Sequence, residues 1–184
     1  MPLSWSPDGQ TLIFKEFNPK TGLDLWLLPL TGDRVPRPYL VTPFNEGLAT
    51  VSPDGHWLAY VSDESGRREM YVRSFPAGGG KWQISTQGGA APLWARNGRE
   101  LFFRSGEAVL AVDVTTKPGF SLGKARLLFE GRYLREPDGI DYDVTADGQR
   151  FLMIKPSEGE LAATRFNVVL NWSEELKARV PSAR

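Results

Sequence analysis

In this chain of 184 residues an Asp-Gly or Asn-Gly turn recurs at near-regular spacing as Asp8-Gly9, Asp54-Gly55, Asn97-Gly98 and Asp147-Gly148. The spacings are 46, 43 and 50 residues. Each pair has turn chemistry: Asp or Asn can bond its own backbone, and Gly accepts positive φ without a Cβ clash. In two copies the turn is complete as Ser-Pro-Asp-Gly, at 6–9 and 52–55, where proline also presets φ. The flanks keep register with the turns. Trp5, Val51, Trp94 and Val144 stand three residues before the Asp or Asn, and Leu12, Leu58, Leu101 and Phe151 stand four after it.

Between the turns lie short apolar runs with Gly and Pro borders, which read as strands. The run Trp57-Leu58-Ala59-Tyr60-Val61 is apolar at consecutive positions, so both faces of that strand should be covered. A period near the roughly 40 to 45 residues of a four-stranded blade predicts an all-β propeller of antiparallel blades. About four blades are expected, over 1–46, 47–89, 90–138 and 139–172, which makes a partial or half propeller. The outer strand of copy three is expected at 125–129, and copy four should use 139–144, 150–154 and 166–172. A short helix is expected over 173–180, since Ser173 can cap it, two acids follow in its first turn and Pro181 stops it.

These turns, at this spacing and followed by an apolar strand, resemble the TolB-like β-propeller repeat, a relative of the WD-repeat blade. The match is fullest at 5–9 and 51–55, thinner at 144–148, and thinnest at 94–98, where both Pro and Asp are lost. The ending at 167–176 also resembles the C-terminus of propeller regions in bacterial proteins, some of which carry an N-terminal serine/threonine kinase domain; no kinase motif occurs in this chain. The resemblance implies a toroid whose innermost strands lead into each turn and line a central channel, with a role in protein binding or sensing. It carries no catalytic motif. On that reading Thr50, Leu93, Asp141 and Asp143 are the expected channel-lining positions.

The 22 basic and 22 acidic residues cancel, leaving no global field to draw nucleic acid or an anionic membrane. No apolar run reaches the roughly 18 residues of a membrane span, and the first residues lack the pattern of a signal peptide. Without cysteine there is no disulfide framework, which suits a bacterial periplasm or cytoplasm alike. His56 is the single histidine and shares its column with Gln10, Arg99 and Gln149, so it reads as a surface residue. Gly119-Phe120-Ser121-Leu122-Gly123 matches a nucleophile elbow in pattern only, since no helix and no later histidine follow. A loop between blade strands accounts for it. Gly78-Gly79-Gly80-Lys81 reads as a hairpin turn, because Phe75 and Trp82 stand where a phosphate loop needs Gly and Ser or Thr. Asp138, Asp141, Asp143 and Asp147 fail the spacing of a calcium loop, and turn chemistry with channel polarity explains them. The tryptophans fall in or beside strands and read as packing between blades rather than a ligand platform.

The residues therefore predict a non-enzymatic module for a protein or peptide partner, with no cofactor and no metal. The alternatives are a lyase or hydrolase working in the channel and a purely structural spacer. Because copy four lacks a visible outer strand, the ring has no clasp of its own. Closure is expected from a homodimer or from blades upstream in a longer polypeptide.

Overall fold

A computed structural model describes residues 1–157, and every helix or strand among them is a strand. The first sheet runs in the order β1 (Pro2–Trp5), β2 (Thr11–Asn18), β3 (Gly22–Pro29), β4 (Arg37–Leu40). The second repeats it with β5 (Glu46–Val51), β6 (Trp57–Ser62), β7 (Glu69–Ser74) and β8 (Lys81–Gln83). In the third, β9 (Ala90–Trp94), β10 (Glu100–Ser105) and β11 (Ala108–Thr115) are followed by an outer strand in two pieces, β12 (Ser121–Leu122) and β13 (Arg126–Glu130). The two pieces pair with opposite ends of β11, and the Gly123 N–H donates to Asp113 O between them (2.8 Å). The stretch expected as a plain loop thus contributes Ser121 and Leu122 to the blade edge. A fourth sheet holds β14 (Tyr142–Val144) and β15 (Phe151–Met153). The strand expected at 166–172 and the helix at 173–180 lie outside the described residues.

All neighbouring strands are antiparallel, and the sequence columns become hairpin registers. Trp5 pairs Leu12, Val51 pairs Leu58, Trp94 pairs Leu101 and Val144 pairs Phe151. The turns between them share one bonding scheme. In the first two, Ser6 Oγ and Ser52 Oγ donate to Asp8 and Asp54 (2.5 and 2.6 Å) while accepting from the Thr11 and Trp57 amides (2.9 and 3.0 Å). The Asp carboxylate also accepts the amide two residues on, from Gln10 and His56 (3.0 and 3.2 Å). Thr145 rebuilds the scheme with Asp147 in the fourth turn, whereas Ala95 has no hydroxyl to offer in the third. These bonds hold the Asp8 and Asp147 carboxyls below the usual range, the serine or threonine hydroxyl being the first cause.

Gly55 and Gly98 both sit at positive φ, 75° and 67°, where a β-branched side chain is strained. Gly55→Val should destabilise by about 1–3 kcal/mol, and Gly98→Val by less, because the Asn97 turn lacks the hydroxyl bonds that lock the conformation. Urea melts of the two variants measure this; equal and negligible losses would contradict it.

Blades two and three each present one apolar face to the blade before and one to the blade after. Ile13, Leu25 and Leu40 of the first pack against Ala49, Leu58, Tyr60 and Tyr71 of the second. Ala59, Val61, Met70 and Val72 on the other face of the second meet Trp94, Leu101, Phe103 and Val112 of the third. Phe102 and Ala111 of the third meet Tyr142, with Val144, Phe151 and Met153 packed alongside. The unbroken apolar run of β6 is explained: Leu58 and Tyr60 point one way, Ala59 and Val61 the other. Trp57, Trp82 and Phe120 close the junction of the second and third blades, with ring centroids 5.1–5.4 Å apart.

Blade one has the same two faces but a neighbour on only one of them among the described residues. Trp5, Leu12 and Phe14 occupy the columns that Val51, Leu58 and Tyr60 use to meet a preceding blade, and β3 adds Leu28 and Trp26 opposite Leu12 and Phe14. Trp5 is 58% exposed. At the other end of the arc Leu152 and Ile154 are exposed at 73% and 55%.

Candidate functional site

The four turns lie together at one end of the inner strands, with His56 exposed beside Gly55. Asp8, Gly9, Asp54, Gly55, Asn97, Gly98, Asp147 and Gly148 are all engaged in holding the turns. Four residues before each Asp or Asn, at the inner edge, stand Ser4, Thr50, Leu93 and Asp143, one per blade. Thr50 and Leu93 are half-buried, and Asp143 is exposed. Thr50 Oγ1 reaches Pro92 O (3.4 Å), and the Val51 N–H reaches Ser4 Oγ (3.4 Å), so neighbouring inner strands are bonded along this column. Asp141 does not belong to it. It stands two residues earlier, just before β14, where its carboxylate pairs with Arg104 Nη1 (2.9 Å).

The inner strands bulge on the way to this end. Leu48 and Ala91, six residues before their turns, hold positive φ of 47° and 52°, and the ladder shifts register beside each. The Tyr142 hydroxyl donates to the displaced Ala91 carbonyl (2.9 Å), and burial pushes that phenol's pKa up. Trp94 Nε1 donates likewise to Thr50 O (3.2 Å).

Of the depressions that open where the inner strands begin, two share Arg68. The larger, about 400 Å³, lies between blades two and three, walled by 87–91 and by Arg68, Arg104, Ser105 and Gly106. The lead-in segment to blade four, with Arg135, Glu136 and Asp141, forms its remaining side. The smaller, about 220 Å³, shares Arg68 and includes Lys15, Glu46, Asp63 and Asp138. The lead-in segment is tied down by buried cations. Arg104, 1% exposed, donates to Leu134 O (2.7 Å) as well as to Asp141, and Asp141 accepts the Glu136 N–H (2.9 Å). Lys15, 7% exposed, pairs with Asp138 across the inner ends (3.5 Å). Glu69 fixes the wall: buried, it accepts from Arg67 Nε (2.7 Å), Ser85 Oγ and the Gly88 N–H (2.9 Å). Lys15 and Arg104 share one column, seven residues after the turn Asp or Asn. The sign in the sequence is a cation closing an apolar run, Leu12-Ile13-Phe14-Lys15 and Leu101-Phe102-Phe103-Arg104.

Glu46 bears on pH. Burial, reinforced by the Asp24, Asp63 and Glu64 carboxylates and opposed by the Thr42 hydroxyl, pushes its carboxyl up to about 7. The folded chain therefore binds this proton more tightly than the unfolded one. Stability should fall as pH rises from the ordinary carboxyl range to about 7 and then level off. Glu46→Gln should flatten that part of the profile, and a slope unchanged in denaturant titrations between pH 4.5 and 8 would contradict the assignment.

Among the described residues no group of three His, Cys, Asp or Glu side chains could hold a metal ion, and no helix is long and apolar enough to cross a membrane. No family model and no curated protein matches the chain. Solved structures do. A TolB from Agrobacterium tumefaciens aligns with a TM-score of 0.57 at 17% identity, over 70% of this chain and 48% of its own. TolB from Acinetobacter baumannii gives 0.55 at 20%, over 85% and 43%. A 6-phosphogluconolactonase-like structure from Bacteroides uniformis gives 0.52 at 17%, over 83% and 46%. The chain thus spans less than half of each of these structures, and the likeness establishes the fold as that of a TolB-like β-propeller.

Proposed function

We propose that this TolB-like propeller arc is a non-enzymatic module that binds a protein or peptide at the end where its inner strands begin. The observation that carries the reading is the lining of the 400 Å³ depression. Its volume is that of a ligand site, and Gly88, Gly89, Ala90, Ala91 and Gly106 make one wall of small residues that a partner's chain can approach closely. No nucleophile stands there beside a base. His56 is at the turn end, and Ser105 Oγ donates to Gln87 O (3.0 Å). The module works within a larger ring: a second copy, or further blades of a longer polypeptide, covers the open face of blade one.

Selection of random peptides on the immobilised chain tests the binding reading. Selected peptides should shift the amide resonances of Gly88, Ser105, Gly106 and Glu136 and leave Gly9, Gly55, Gly98 and Gly148 in place. Shifts confined to the turn end, or no enriched peptide, would overturn it.

A further inference from the structure

The 400 Å³ depression has an electrostatic character that the binding reading above does not use. Three guanidiniums line it, those of Arg68, Arg104 and Arg135, against the carboxylates of Glu136 and Asp141. Asp141 is already paired with Arg104. Arg68 and Arg135 are exposed, and neither side chain has an ion pair or hydrogen bond to any described residue. At the floor, Arg104 Nε and Asp141 Oδ1 are buried and have no hydrogen-bond partner among the described residues, Arg104 being 1% exposed. A buried donor and acceptor left open in this way cost free energy until something pairs with them. One peptide unit offers both, a C=O for the guanidinium and an N–H for the carboxylate.

We infer that this depression selects an acidic residue of a bound peptide, its side-chain carboxylate held by Arg68 and Arg135 and its backbone amide meeting the open groups of Arg104 and Asp141. The inference rests on the peptide-binding reading above. Guanidinium is suited to this role because its planar fork of donors matches a carboxylate in two parallel hydrogen bonds. The small-residue wall contributes no competing acid. Of the acids present, only Glu136 is left to oppose the two rim cations, so the opening attracts negative charge.

The test uses two blocked peptides, a tetraglutamate flanked by glycines and its tetraglutamine counterpart, titrated into the isotopically labelled chain. The glutamate peptide should shift the Gly88, Gly106 and Glu136 amides and bind about tenfold or more tightly than the glutamine peptide. Its affinity should fall by a similar factor in the Arg68→Gln/Arg135→Gln chain, and fall again as salt is raised. Both substitutions are at exposed positions, and an unchanged spectrum away from the depression will report intact folding. Equal binding of the two peptides at the same amides would overturn carboxylate selection while leaving peptide binding in place. Glutamate binding untouched by the double substitution would overturn it too, as would selected peptides that bind there while the glutamate peptide does not. If neither these nor the selected peptides shift those amides, both readings fall.

Discussion

Leu58→Ala and Leu101→Ala are each expected to destabilise the chain by about 2–5 kcal/mol, and Leu12→Ala by about 1 kcal/mol or less. The three leucines occupy one column, four residues after their turns, and pair with the same position of the inner strand. Their surroundings differ. Leu58 and Leu101 are 0% exposed, each pressed against the preceding blade, so truncation opens a cavity that neighbouring sheets cannot collapse to fill. Leu12 is half-buried on a face that no described blade covers, so truncation there removes contact with its own sheet and little else. Urea denaturation at sub-micromolar chain concentration measures the contrast. A loss at Leu12 equal to that at Leu58 would show that the first face is covered after all.

Arg104→Ala should cost about 3–5 kcal/mol, the size seen when one partner of a buried ion pair is removed. The Asp141 side chain, 8% exposed, would be left with no cation beside it, and the Leu134 carbonyl would lose its donor. Replacing both partners, as Arg104→Met with Asp141→Asn, should recover much of that loss, because the cost lies in the unpaired charge. What the double variant should not recover is the tether. Amide exchange at Glu136, whose N–H is held by Asp141, should quicken in both variants. Full recovery of stability together with slow exchange at Glu136 would mean that the ion pair does not position the lead-in segment.

The repeat was legible because its turns depend on particular residues. Asp or Asn then Gly marks a positive-φ position in all four repeat turns, though not at Asp138-Gly139 outside the repeat register, and the columns on either side proved to be strand pairs. The bulges were not legible, since Leu48 and Ala91 are residue types that carry no signal of positive φ. Nor was the split edge of blade three, where Gly123 looked like the end of a loop but carries the ladder between two short strands. The tryptophans divided by position. Trp57, Trp82 and Trp94 pack within the blade junctions, whereas Trp5 stands exposed on the first face; Trp172 lies outside the described residues. The depression was hidden for a different reason. Its walls come from residues 68, 87–91, 104–106, 135–137 and 141, which only the packing of successive blades brings together. Asp141 carries an ion pair with Arg104 that its place in the sequence does not announce.

Blade one has an apolar face with no neighbour among the described residues, and because monomers rarely leave such a surface uncovered the chain should not remain single at ordinary concentrations. Static light scattering on the purified chain at micromolar concentration tests this most directly. The expected result is a mass of at least two chains that returns toward one chain when Trp5 is replaced in Trp5→Asp, since the charge would replace an exposed apolar ring of blade one. A monodisperse single-chain mass, unchanged by Trp5→Asp, would contradict it.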